Sequence, residues 1–152
     1  DFMEKLTATR IDTQEDISLS ARTKKANEIY RESEKPCIYV SIHANGFTSE
    51  SANGWGVYTS EGETKSDEIA TVLWQEAKKE FPNYTMRKDT YSDGDVDKEA
   101  NFYVLIHTAM PAILSENFFM TNERECNLLM SESGRDRIAK IHIEMINKIE
   151  NE

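Results

Sequence analysis

The sequence predicts an α/β fold, and three observations carry that prediction. Two apolar runs, Pro36-Cys-Ile-Tyr-Val-Ser-Ile-His43 and Pro111-Ala-Ile-Leu-Ser-Glu116, each open on a proline and end on a metal-competent or acid/base side chain. Runs of this length, rich in Ile and Val, read as strands buried on both faces of a sheet. Between and after them lie segments with helical apolar spacing, so strands and helices alternate along the chain. In open α/β sheets the chemistry sits at the carboxyl ends of strands, which places His43 and Glu116 together at one edge of one sheet.

Each element follows from local chemistry. Leu6-Thr-Ala-Thr9 reads as the tail of a strand. Ser18 or Ser20 can cap a helix to about Arg31, with Ala21, Ala26, Ile29 and Tyr30 as its inner face. The strand over residues 37–43 comes next, then a polar, Gly-bearing loop from Asn45 to Gly54 and a strand from Trp55 to Thr59. Thr64 or Ser66 caps a helix to about Phe81, where Ile69, Leu73, Ala77 and Phe81 recur at helical spacing and Pro82 stops it. Lys88 to Ala100 is a charged loop, followed by the apolar segment Phe102–Ile106 and the strand that ends in Glu116. Asn122 and Glu125 have capping-box spacing and open a short helix. Gly134 separates it from a last helix whose Ile138, Ile141, Met145, Ile146 and Ile149 form one apolar stripe.

Composition narrows the class. A chain of 152 residues fits one domain large enough to bury a core. A net charge of −10 argues against phosphate-backbone binding, which needs clustered Lys and Arg, so no nucleic acid is expected. It leaves a neutral or zwitterionic polymer open as a substrate. No apolar run approaches the roughly 18 residues of a membrane span. No signal peptide is visible, and the chain opens on Asp1 rather than a methionine. Cys37 in a strand and Cys126 in a helix read as inert core thiols rather than a disulfide or a metal pair.

Several side chains compete for a functional role. A strand-end histidine is most often a satisfied, partly buried side chain, but the Ala44-Asn45-Gly46 turn would expose the ring of His43 at the sheet edge. Glu116 has an ordinary reading as a helix cap or arginine partner. Set between Ile-Leu-Ser and Asn-Phe-Phe, it is costly to bury without a partner, which favours a working role. His107 reads as a polar strand terminus facing solvent, and His142 as structural within the last helix. Asp93, Asp95, Asp97 and Glu99 alternate in a way that hints at calcium; Gly94 is misplaced for an EF-hand loop, so a solvated acidic loop is expected. Trp55 and Trp74 read as core aromatics, with Trp55 the one near enough to the His43 loop to line a groove.

A set of short pieces carries a resemblance. In order along the chain stand Thr9-Arg10, Ser18-Leu19 with Arg22, Ala26-Asn27, Ser41-Ile42-His43-Ala44-Asn45 and Gly54-Trp-Gly-Val-Tyr58. Asn101-Phe-Tyr-Val-Leu105, Pro111-Ala-Ile-Leu-Ser-Glu116-Asn-Phe-Phe-Met-Thr-Asn122 and Glu125 complete the set. With these the chain resembles, over essentially its whole length, the zinc-dependent N-acetylmuramoyl-L-alanine amidases of the amidase 3 family. These are peptidoglycan hydrolases of bacteria and their phages. The resemblance implies a three-layer α/β fold, a mostly parallel twisted sheet with helices on both faces. It implies one zinc held by His, Glu and His, with His43 as the second histidine and Glu116 as the catalytic glutamate. The family's first histidine, in a Gly-His-Gly-Gly turn, and its metal-binding glutamate precede the Thr-Arg segment. Those ligands, with the family's opening strand and helix, are therefore expected to lie outside this chain. Ile106-His107 departs from the pattern, since many relatives carry a basic residue there.

The resemblance further implies hydrolysis of the amide between N-acetylmuramic acid and L-alanine by zinc-activated water, Glu116 accepting the water's proton and passing it to the leaving amine. Residues 1–152 are then expected to form a single amidase-like catalytic domain whose partner is peptidoglycan. Its place of action would be the cell envelope or the extracellular side, or the wall as reached by a phage lysin. Oligomeric state is left open. A competing reading is a non-catalytic or degenerate peptidoglycan-binding module of the same fold, favoured by the two missing ligands. A serine hydrolase is disfavoured because no Gly-x-Ser-x-Gly elbow is present.

Overall fold

The computed structural model describes residues 16–89, 91 and 94–151. The strand tail expected at Leu6–Thr9 and the Thr9-Arg10 pair lie outside the described residues. Along the chain run α1 (Leu19–Glu32), β1 (Tyr39–Asn45), β2 (Gly56–Thr59), α2 (Lys65–Glu80) and β3 (Lys98–Glu99). They are followed by α3 (Tyr103–Ile106), β4 (Ala112–Phe119), α4 (Glu123–Met130) and α5 (Glu132–Glu150). The sheet order is β1-β4-β2-β3, with β1 parallel to β4, β2 antiparallel to β4 and β2 parallel to β3. Helices cover both faces of this mixed sheet, as the α/β reading expected.

Side-chain alternation along the strands divides the core in two. Val57 and Ile113 face α2 and α5, packing with Leu73, Ala77, Phe81, Ile141 and Met145. Tyr39, Ala112 and Leu114 face the other way, onto Ala26 of α1 and Val104 and Leu105 of α3. The helix boundaries have identifiable causes. Ser18 caps α1 through its Oγ, which accepts from Ala21 N at 3.2 Å. Thr64 and Asp67 form a reciprocal capping box on α2, and Pro82 follows its last turn.

Several expectations are corrected. The inner face of α1 is Thr23 and Ala26, while Ala21 and Tyr30 are exposed; Ala26 alone joins the apolar cluster between the sheet and the short α3, so the buried stripe of α1 is narrow. The apolar segment Phe102–Ile106 holds that helical turn, with Phe102 as its N-cap, which makes His107 a helix C-cap rather than the strand terminus expected. Gly134 does not separate the last two helices. Ser131 does, and Gly134 lies in the first turn of α5, where a Cβ would stand 1.9 Å from the Leu128 carbonyl oxygen. Only glycine allows α4 and α5 to approach so closely there.

The reading of both apolar runs as fully buried holds for β4 alone. Its residues Ala112 to Ser115 are all buried, whereas β1 is an edge strand among the described residues and its Ile42 is 57% exposed. The helices on Ile42's face cover Ile38 and Val40 but stop short of it. The run of β4 also passes Glu116 and ends at Phe119.

Candidate functional site

His43 and Glu116 are direct partners in the parallel register of β1 and β4. Adjacent strands stand about 4.8 Å apart, so the two side chains rise side by side. Both belong to the alternation series of Tyr39 and Leu114, the face covered by α1 and α3. That cover ends before them: His43 is exposed and Glu116 half-buried. The sheet thus carries an imidazole and a carboxylate from its core to its open end.

Immediately beyond this pair the register breaks. His43 faces Glu116, but Asn45 faces Phe119, so β4 spends one residue more than β1 over this stretch. Phe118 absorbs the extra residue at φ 67°, a left-handed conformation rare for a bulky side chain. Its burial among the rings of Phe81 and Tyr84 holds it there. Bulges of this kind re-aim side chains next to active sites, and here the bulge sets how Glu116 leaves the ladder.

A buried hydrogen-bond chain supports the pair from below. His142 Nδ1 lies 2.7 Å from the Ile138 carbonyl and donates to it, which leaves Nε2 to accept from Ser115 Oγ at 2.9 Å. Asn117 Nδ2 donates to Ser115 Oγ and to the His43 carbonyl, both at 3.0 Å, while its Oδ1 accepts from Trp55 Nε1 at 2.7 Å. Every donor finds an acceptor along this route from α5 to β1. Burial holds the His142 imidazole below its ordinary pKa, consistent with its neutral, structural role. Trp55 is fully buried and belongs to this chain, so it is a core residue and lines no groove.

Glu125 performs a second clamp. It caps nothing with its own carboxylate; its Oε1 accepts from Gly54 N and its Oε2 from Phe119 N, each at 2.8 Å. The loop that follows β1 is thereby fastened to the bulged end of β4. Gly54 itself sits at φ 111°, with the Thr85 carbonyl 2.9 Å from where a Cβ would be. Nearby, the Arg87 guanidinium lies 5.2 Å from the Phe119 ring and donates to the Asn53 carbonyl.

The electrostatics single out Glu116. Burial raises its carboxyl from 4.5 to about 7, and its Oε2 accepts no hydrogen bond from the described residues. His43 Nε2 lies 2.8 Å from Ser41 Oγ. Tyr58, on the neighbouring strand, has its phenol raised by burial, with Arg87 lowering it and Glu116 raising it. Arg87, Tyr58 and Glu116 therefore share one electrostatic neighbourhood.

A catalytic zinc takes three protein ligands and keeps an open position. Around His43 the described residues offer one imidazole and the Glu116 carboxylate. The cluster of three ligand-bearing side chains among the described residues is Asp67, Asp95 and Asp97, which lies elsewhere. The described residues do not make up a complete zinc site.

The remaining predicted residues fall away from the pair. His107 stacks on Tyr103 with centroids 4.1 Å apart, and its carbonyl accepts from Asn27 Nδ2 at 2.9 Å. Asn27 Oδ1 accepts from Ala109 N at 2.8 Å, so the asparagine splints the approach to β4. The acidic loop is not simply solvated: Asp97 is fully buried, Thr59 Oγ1 donating to its Oδ2 at 2.6 Å, and its carboxyl rises to about 7 mainly by burial. Asp93 lies outside the described residues. Cys37 and Cys126 are half-buried free thiols. Sequence reasoning missed the roles of Asn117, Ser115 and Glu125. The signal was the presence of polar residues inside the apolar stretch 112–119 and just past it.

Comparison with known proteins agrees with this architecture. The family model described as N-acetylmuramoyl-L-alanine amidase (Amidase_3) matches residues 4–148. The chain is 29% identical over 133 residues to an endolysin of Bacillus phage SPP1, covering 86% of this chain and 44% of that protein. It is 32% identical over 140 residues to the N-acetylmuramoyl-L-alanine amidase AmiC of Neisseria meningitidis serogroup B, covering 68% of this chain and 33% of the relative. It thus spans less than half the length of either. Among solved structures, the catalytic domain of CwlV, an N-acetylmuramoyl-L-alanine amidase from Bacillus (Paenibacillus) polymyxa var. colistinus, superposes with a TM-score of 0.79 at 26% identity. That match covers 97% of this chain and 73% of the other. With the family model spanning nearly all of it, this chain belongs to the N-acetylmuramoyl-L-alanine amidase family, Amidase_3.

Proposed function

We propose that the chain forms an amidase-like catalytic domain of a peptidoglycan hydrolase. It would cleave the amide between N-acetylmuramic acid and the L-alanine of the stem peptide, with Glu116 as the general base. One observation carries this reading: a half-buried carboxyl raised to about 7, with one oxygen that accepts no hydrogen bond from the described residues, stands beside His43 at the open end of the sheet. A general base works best when its pKa lies near the operating pH. Glu116 takes a proton from the attacking water and hands it to the departing amine, which then leaves neutral. By family resemblance His43 is a zinc ligand.

The place of action follows from the substrate: the cell wall, reached from the envelope or by a phage lysin, as the names of the relatives suggest. No helix among the described residues is long and apolar enough to cross a membrane. The test is the identity of the bond broken. Purified peptidoglycan incubated with the protein should release peptides bearing a free N-terminal L-alanine, read by mass spectrometry. New reducing sugar ends would point to a glycosidase instead. Sedimentation of the protein with peptidoglycan and release of nothing would support the second reading, a non-catalytic binding module of the same fold.

A further inference from the structure

We propose that Asp67, Asp95 and Asp97 form a binding site for a hard divalent cation, calcium by class, separate from the His43–Glu116 pair. Three carboxylates, one from the first turn of α2 and two from the segment leading into β3, converge so that one ligand atom from each lies within 4.8 Å of the others. Convergence alone is common on acidic surfaces. Here it is joined by burial without compensation. Asp97 has no exposed surface; its Oδ2 is taken by Thr59, and its Oδ1 is buried and accepts no hydrogen bond from the described residues. Asp67 repeats the arrangement at 9% exposure: Oδ2 accepts from the Thr64 amide of the capping box, and Oδ1 is buried and accepts no hydrogen bond from the described residues. None of the ion pairs among the described residues involves Asp67 or Asp97. Asp67 and Asp97 therefore each spend one oxygen on holding their own position and leave the other buried without a hydrogen bond from the described residues, beside the Asp95 carboxylate.

The donor chemistry selects the ion. Calcium takes oxygen ligands at about 2.3–2.6 Å, and oxygens around one such ion stand within about 5 Å of one another. No imidazole or thiolate joins the cluster, which disfavours zinc. Position separates it from the catalytic pair. In the antiparallel register Gly56 faces Glu116, so Thr59 stands three residues, about 10 Å, further along the sheet. Thr59 also shares the face of Val57, the one covered by α2, whereas Glu116 projects from the opposite face. The ion would pin the segment before β3 to the start of α2. It would strengthen the fold without entering the reaction.

The rival account is a shared proton between the close carboxylates, helped by the positive N-terminal end of α2. Calorimetric titration of the chelator-stripped protein with calcium chloride at pH 7.5 separates the two. Binding near one ion per chain, with a rise in Tm of about 5–10 °C at calcium about 100-fold above Kd, is the expected result. Asp97→Asn keeps an acceptor for Thr59 but places an amide in the site, so it should abolish both the heat and the Tm rise. It should leave the metal-free Tm equal or higher. Should that variant fail to fold, Asp95→Asn is read in the same way. Absence of heat and of a Tm shift in the wild-type protein up to about 10 mM calcium would overturn the proposal in favour of the shared proton, as would an undiminished calcium response in the folded variant.

Discussion

Replacing Glu116 with glutamine should make the metal-free protein more stable at alkaline pH and remove part of its pH dependence. The native carboxyl titrates near 7 rather than 4.5, because burial penalises its charge. It holds its proton more tightly in the folded than in the unfolded chain. Its contribution to stability is therefore fully present below about pH 4.5 and is lost as pH rises through about 7. At about 1.4 kcal/mol per tenfold, the full difference would be about 3 kcal/mol. The group is only half-buried, so solvent screening reduces this to about 1–2 kcal/mol. Glutamine has nearly the same shape and never ionises. Urea denaturation of both proteins with chelator present, at steps from pH 5 to 8, gives the comparison directly. Asp97 titrates in the same window and tilts both curves equally, so the difference between them isolates Glu116. A glutamine variant that gains about 1–2 kcal/mol on the wild type between pH 5 and 8 agrees with the reasoning. Parallel curves would refute it, showing that the Glu116 carboxylate is solvated in the folded state.

Other perturbations probe the scaffold. Gly134→Ala places a methyl group 1.9 Å from the Leu128 carbonyl oxygen and should cost about 2–4 kcal/mol in urea unfolding; near wild-type stability would contradict the close approach of α4 and α5. Glu125→Gln turns an amide toward either the Gly54 or the Phe119 N–H, and should cost about 2–3 kcal/mol while speeding proteolysis within residues 46–54. Unchanged proteolysis would mean that the loop is held by other contacts. His142 is kept neutral by burial, so its stabilisation is present above about pH 6.5 and fades as pH falls below that. Its imidazole NMR signals should accordingly titrate at lower pH than those of a free imidazole, and a midpoint at or above the ordinary histidine value would oppose the donor order from Ile138 to Ser115.

How far the sequence disclosed this structure depended on which force set each feature. Capping and apolar spacing are local, so α2, α4 and the body of α5 were legible, down to Asn122 as a cap and Thr64 as one of two candidate caps. The pairing of His43 with Glu116 was legible too, since parallel strands bring their carboxyl ends to one edge. Burial of β1 was not, because an edge strand and a central strand can carry the same apolar run. Nor was the helical turn at Tyr103–Ile106, too short for a periodicity to show. The acidic loop misled for a further reason. Alternating aspartates look solvated until a distant residue, Thr59 on β2, is folded against one of them. The hydrogen-bond chain through Asn117 lay hidden for the same reason, since its partners come from β1, from β4 itself, from α5 and from Trp55 beside β2.

The central claim is that Glu116 moves the proton in amide hydrolysis. The direct measurement is the initial rate of release of L-alanine-terminated peptides from purified peptidoglycan at pH 7, by the wild-type protein and by Glu116→Gln at equal concentration, with binding to the polymer measured alongside by sedimentation. A loss of about 10²–10⁴-fold in rate with binding unchanged is the expected result. A variant that releases these peptides at close to the wild-type rate would contradict it and leave Glu116 a structural carboxylate.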